Sequence, residues 1–190
     1  MIARSLQLFS VLLLLGSDVS AQGSELEPGR AYSFSFRDVD GNELATADGH
    51  VTVITVVTRQ NEDQAHAVAD RVPDRCLGNP KYRYITLVNF QRKLARPLQG
   101  LTRTIIRNRL DAEAEALKPE YVAKNLTRDP RQDVFVVADF DGSAMAKLGL
   151  SPESDNVGVF VFNGRGKLIN RWGDVPPGDS LAQAIALAER

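Results

Sequence analysis

Val51 to Val57 (VTVITVV) is a run of seven β-branched residues that passes through a short polar turn into a helical segment. Branching at Cβ restricts χ1 and favours extended backbone over helix. The run also lacks the polar alternation of a half-exposed strand, so it reads as a strand covered on both faces. The turn after it is Thr58-Arg59-Gln60-Asn61, and Glu62 and Asp63 then suit the positive end of a helix. Asn61 or Thr58 is placed to cap that helix. Ala65, Val68, Ala69 and Val72 form its expected apolar stripe, and Pro73 stops it.

The rest of the chain repeats the theme. Tyr32 to Phe36 alternates apolar and polar, as a strand with one buried face does, and Asp38 to Asn42 supplies turn chemistry. Tyr82 to Phe90 and Asp133 to Asp139 are further strands, and Gln99 to Leu117 is helical on the spacing of Leu101, Ile105, Ile106 and Leu110. Ser143 to Leu148 forms a short helix. Val157 to Phe162 and Lys167 to Trp172 flank Asn163-Gly164-Arg165-Gly166, a hairpin signal, and Leu181 to Ala188 closes the chain as a helix. Strands alternating with helices predict an α/β fold with a mainly parallel sheet, and the hairpin adds an antiparallel edge.

Residues 1–21 are set apart. Arg4, the short apolar stretch Leu6 to Gly16 and the small residues before Gln22 read as a signal peptide cleaved before Gln22. The apolar stretch is too short to span a bilayer, which takes about 20 residues. No Cys follows it to carry a lipid anchor. The reading is therefore a periplasmic or secreted protein with no membrane span after cleavage. Residues 22–30 are expected to be a loosely held leader, and residues 31–190 a single domain. The formal net charge of −1 gives no global pull toward nucleic acid or anionic membranes. Cys76 is the only cysteine, so neither an internal disulfide nor an intramolecular dithiol cycle can form.

Three pieces of sequence carry a resemblance. They are Phe34 to Asn42 (FSFRDVDGN), Val51 to Val57 entering its helix, and Phe135 to Phe162 continuing through Gly164-Arg165-Gly166 to Arg171-Trp172-Gly173. Together they resemble the thioredoxin-like superfamily, closest to its exported TlpA-type and peroxiredoxin-like branches. The resemblance implies a thioredoxin-like mixed β-sheet flanked by helices, with residues 91–125 as a helical insertion. It also implies a Cys-x-x-Cys pair, or a peroxidatic Cys, at the turn after Val57. Thr58 is present there, but Asn61 stands where the peroxidatic Cys would be. The cis-proline beside the dithiol falls near Val157, within Asp155-Asn156-Val157-Gly158, and is missing too.

Scaffold without sulfur points to binding: an accessory protein of the cell envelope, not a catalyst. On the family's pattern the contact surface would be Thr58, Arg59, Gln60, Asn61, Asn156 and Val157, engaging an envelope protein or peptide. The alternative is a one-cysteine peroxidase or reductase using Cys76, whose thiol Arg75 would help ionise. Arg92, Arg96, Arg103 and Arg107, with Lys93 and Arg109, form the strongest charge bias and offer a site for an anionic partner. Arg103 and Arg107 are spaced to neutralise Asp111 and Glu115 along the helix, and no aromatics accompany the cluster to stack nucleic-acid bases. Glu62, His66 and Asp70 share a helical face that can hold a metal, although a solvated charged face explains the same spacing and is commoner. The two Asp-x-Asp-Gly stretches lack the later ligands of a calcium loop and read as turns. No cofactor motif is present: Gly164-Arg165-Gly166 joins two strands and opens no helix, unlike a dinucleotide fingerprint.

Overall fold

The computed structural model describes residues 25–90 and 96–190. The expected signal segment, Arg92 and Lys93 lie outside the described residues. Five strands form the central sheet: β3 (Val51–Val57), β4 (Tyr82–Asn89), β5 (Val134–Asp139), β6 (Gly158–Phe162) and β7 (Leu168–Trp172). Two short strands, β1 (Ser35–Arg37) and β2 (Glu43–Ala45), pair antiparallel as a separate ribbon. The helices are α1 (Glu62–Ala69), α2 (Arg96–Ala123), α3 (Ser143–Lys147) and α4 (Ser180–Ala188).

The spatial order of the sheet is β5-β4-β3-β6-β7. β3, β4 and β5 run parallel, and β6 and β7 run antiparallel, as the sequence predicts. β3 lies at the centre, which suits its unbroken β-branched sequence. Its alternate residues feed two cores. Ile54 and Val56 join Ile85, Leu87, Phe160 and Phe162 beneath the β1–β2 ribbon and α3. Val51 and Val53 join Val159, Val161, Leu181 and Ile185 beneath α1 and α4. A third cluster, Val136 with Leu110, seats α2 over β5.

Three sequence readings change. Only the end of the alternating segment Tyr32 to Phe36 is a strand, although Tyr32, Phe34 and Phe36 all pack on the core as the alternation required. α1 ends at Ala69, so Val72 lies beyond it, and Ala69 is exposed. α2 runs past Leu117 and through Pro119 to Ala123. Proline cannot donate to the carbonyl one turn back, but Tyr121 holds the last turns down. It is 2% exposed, its Oη donates to Asp133 at 2.8 Å, and its carbonyl accepts from Leu126 N at 2.8 Å.

The segment before β1 is docked, not loose. Leu26 is buried in the core, Gly29 N donates to Leu168 O at 2.7 Å, and Glu25 pairs with Arg171 at 2.7 Å. Both Asp-x-Asp-Gly stretches are turns. Asp38 accepts from Asp40 N and Asn42 N, and Asp139 accepts from Gly142 N and Met145 N at the start of α3.

Candidate functional site

The turn between β3 and α1 is organised by an amide where the resemblance implies a thiol. Asn61 is buried, at 2% exposure, and its Oδ1 accepts from Thr58 N at 2.8 Å. Its Nδ2 donates to Asp155 O at 3.1 Å. One side chain thus closes the turn and ties it to the loop before β6, where the missing proline would lie. Asn61 does occupy the N-cap position, but its side chain makes no capping bond to α1. Thr58 is equally buried, and its Oγ1 accepts from Gln60 N at 3.2 Å. Both side chains are committed to holding the turn.

This corrects half of the expected contact surface. Thr58, Asn61 and Val157 are buried and cannot present side chains to a partner, while Arg59, Gln60 and Asn156 are exposed. The sequence could not separate the two sets, because a polar turn has no periodicity to tell in from out.

Cys76 lies beyond the far end of α1, in the single 3₁₀ turn Asp74–Cys76. It is 2% exposed and packs with Val68 and the α4 core. Burial pushes its thiol above the ordinary range, outweighing the opposing pull of the Tyr84 hydroxyl and the Arg75 guanidinium. Arg75 itself reaches Glu189 at 3.2 Å. A protonated, enclosed thiol is the opposite of an activated nucleophile.

Of the basic cluster, the described side chains are Arg103, which is half-buried, and Arg107 and Arg109, which are exposed. Arg103 lies over the Phe140 ring, 4.9 Å from its centroid. Arg107 Nε donates to Val39 O at 2.8 Å and stands 3.7 Å from Asp40, so it does not pair with Asp111 along the helix. Asp111 instead pairs with Arg131 at 2.8 Å, and Glu115 with Lys118. Glu62 and His66 on α1, and Asp70 just beyond its end, are exposed, with Glu62 held 3.8 Å from Arg109. No three potential metal ligands cluster among the described residues.

Of the apolar residues whose spacing marks α2 as a helix, Leu110 is buried, but Leu101 and Ile105 are exposed, and so is Leu98. Their i, i+3, i+7 spacing makes one stripe, which Arg109 continues at i+11. Arg109, at the end of the stripe, reaches Glu62 in the first turn of α1 at 3.8 Å. Leu110, Ala114 and Tyr121, on the other side of α2, take the buried positions.

A β5-β4-β3-β6-β7 sheet of three parallel strands and an antiparallel hairpin, with helices on both faces, defines a thioredoxin-like fold. Solved structures agree. The C-terminal domain of a proposed thiol-disulfide oxidoreductase from Bacteroides thetaiotaomicron matches 88% of this chain over 97% of its own, at 15% identity and a TM-score of 0.52. A peroxiredoxin-like protein from Aquifex aeolicus matches 87% over 90% of its own, at 19% identity and a TM-score of 0.50. No family model matches the sequence. No curated protein matches it significantly. The chain thus has a thioredoxin-like fold, and its single cysteine lies away from the β3–α1 turn.

Proposed function

We propose that this is an exported thioredoxin-fold protein that acts by binding, as an accessory protein of the cell envelope, and carries out no dithiol chemistry. The observation that carries this reading is Asn61, whose amide fills the redox position and is spent on holding the turn to Asp155 O. Disulfide turnover needs an attacking thiolate and a second thiol to release the mixed disulfide. This chain has one cysteine, and it is buried. The competing one-cysteine enzyme needs an ionised, reachable thiol, and the burial of Cys76 counts against it.

The binding surface is the strand-end face formed by Arg59, Gln60 and Asn156, enlarged by the apolar stripe Leu98, Leu101 and Ile105. Aliphatic side chains beside polar groups suit an extended or helical peptide segment of an envelope protein. The test is capture by tagged protein from the native envelope fraction. Wild type is expected to retain a partner that the double variant Leu101→Ser/Ile105→Ser loses. Equal capture by both would refute this surface. Mass spectrometry of the same preparation is expected to place the mature N-terminus at Gln22, and retention of residues 1–21 would contradict export.

A further inference from the structure

The charge bias around α2 predicts an anionic partner, and the fold sorts the residues that carry it. Arg107 turns to Val39 O and Arg109 to Glu62, whereas Arg103 lines a cavity of about 470 Å³ bounded by β1, β2, α2, the end of β5 and α3. Two more cations line it from separate elements, Arg37 at the end of β1 and Lys147 at the end of α3. Three positive side chains remote in sequence thus converge on one space.

None of the three forms an ion pair among the described residues. Arg103 and Lys147 are seated on rings instead. The Arg103 guanidinium lies 4.9 Å from the Phe140 centroid, and Lys147 Nζ lies 5.4 Å from that of Phe36. A ring face positions a cation without neutralising it. Lys147 Nζ donates one of its three N–H groups to Ser35 O at 2.7 Å, and neither guanidinium donates to a described residue. The carboxylates of the cavity are held by neutral donors: Glu43 accepts from Ser35 Oγ at 2.6 Å, Asp139 from Gly142 N and Met145 N, and Asp141 from Ser143 N at 3.0 Å. The acids are engaged, and the cations keep donors to spare. Guanidinium forks match anionic oxygens in pairs, and the cavity is of a size that holds small organic molecules.

We infer that this cavity binds a small organic dianion, with one anionic group on Arg37, the other on Arg103, and Lys147 adding its remaining N–H groups. The site is distinct from the proposed partner surface, so its failure would leave that reading standing. The probes are glutarate, which carries two carboxylates, 3-phosphoglycerate, which carries a carboxylate and a phosphate, and glutaramide, the neutral analogue of the first. Each is titrated at constant ionic strength and followed by amide chemical shifts in a ¹⁵N-labelled sample. At least one dianion is expected to give saturating shifts centred on residues 35–37 and 138–147, and glutaramide to give none. Saturation by glutarate assigns a dicarboxylate; saturation by 3-phosphoglycerate alone assigns a phosphorylated acid.

Arg37→Gln and Arg103→Gln are each expected to weaken binding of that dianion about tenfold, through loss of a charge-assisted hydrogen bond. Arg109→Gln removes the same charge from the same helix away from the cavity, and is expected to keep wild-type affinity. No saturation by either dianion, an equal response to glutaramide, wild-type affinity in folded Arg37→Gln or Arg103→Gln, or an equal loss in Arg109→Gln would each overturn the assignment. The comparison of charged and neutral probes uses the wild-type protein alone, so a variant that circular dichroism shows to be unfolded leaves the site open to refutation.

Discussion

Replacing Asn61 by alanine removes two hydrogen bonds from a buried position and leaves Thr58 N and Asp155 O without their present partner. An unsatisfied buried group costs about 1–3 kcal/mol. Asn61→Ala is therefore expected to lower unfolding free energy by about 2 kcal/mol in urea titration, whereas the exposed Gln60→Ala should cost under about 0.5 kcal/mol. Equal, small effects would mean that the amide does not organise the turn. Cys76 makes a prediction of different kind. Its folded pKa is raised by burial, so above about pH 8.5 the unfolded chain loses a proton that the folded chain keeps. The unfolded state then binds fewer protons, and stability falls as pH rises from that point. Tyr84 is raised as well, again chiefly by burial, and its contribution starts only near pH 10. The fall between about pH 8.5 and 10 should accordingly flatten in Cys76→Ala. A fall of equal steepness in that variant would place its source elsewhere.

At the scale of elements, the β-branched run at β3 and the Asn-Gly-Arg-Gly hairpin were legible because each follows from local sterics. The mixed sheet, parallel in its middle with an antiparallel hairpin, followed from strands alternating with helices, whereas its spatial order did not. β2 was not legible, since Glu43–Ala45 is too short to show a period. α2 was legible as a helix, but its buried face was not. Both Leu101/Ile105 and Leu110/Ala114 keep helical spacing, and only the position of the sheet decides which side is roofed. The site was half legible for a related reason: the missing sulfur is plain in the sequence, but the burial of Thr58, Asn61 and Val157 is a tertiary fact. The exposed stripe yields its own test. Leu101→Ser/Ile105→Ser should leave the thermal midpoint within about 4 °C of wild type, because surface substitutions change stability by at most about 0.5 kcal/mol each. A large drop would mean that these side chains pack against the protein and are not free for a partner.

For the molecule as a whole, residues 25–30 close the sheet over β7, although their sequence shows only polar and turn residues around Leu26. Leu26 joins the same core as Phe160, Phe162 and Leu168. Leu26→Ala is expected to cost about 2–3 kcal/mol, read from denaturant unfolding, and a negligible cost would show that the segment is not part of the folded unit. The central claim is that a thioredoxin-like fold has been kept for binding while its redox turn is held by an amide. It is tested most directly by following reduction of a disulfide substrate with dithiothreitol as electron source, in the presence and absence of glutathione. Glutathione matters because it can release a mixed disulfide that a lone cysteine cannot resolve. Wild type and Cys76→Ser are both expected to match the protein-free rate in either condition; turnover above that rate that disappears in Cys76→Ser would contradict the account.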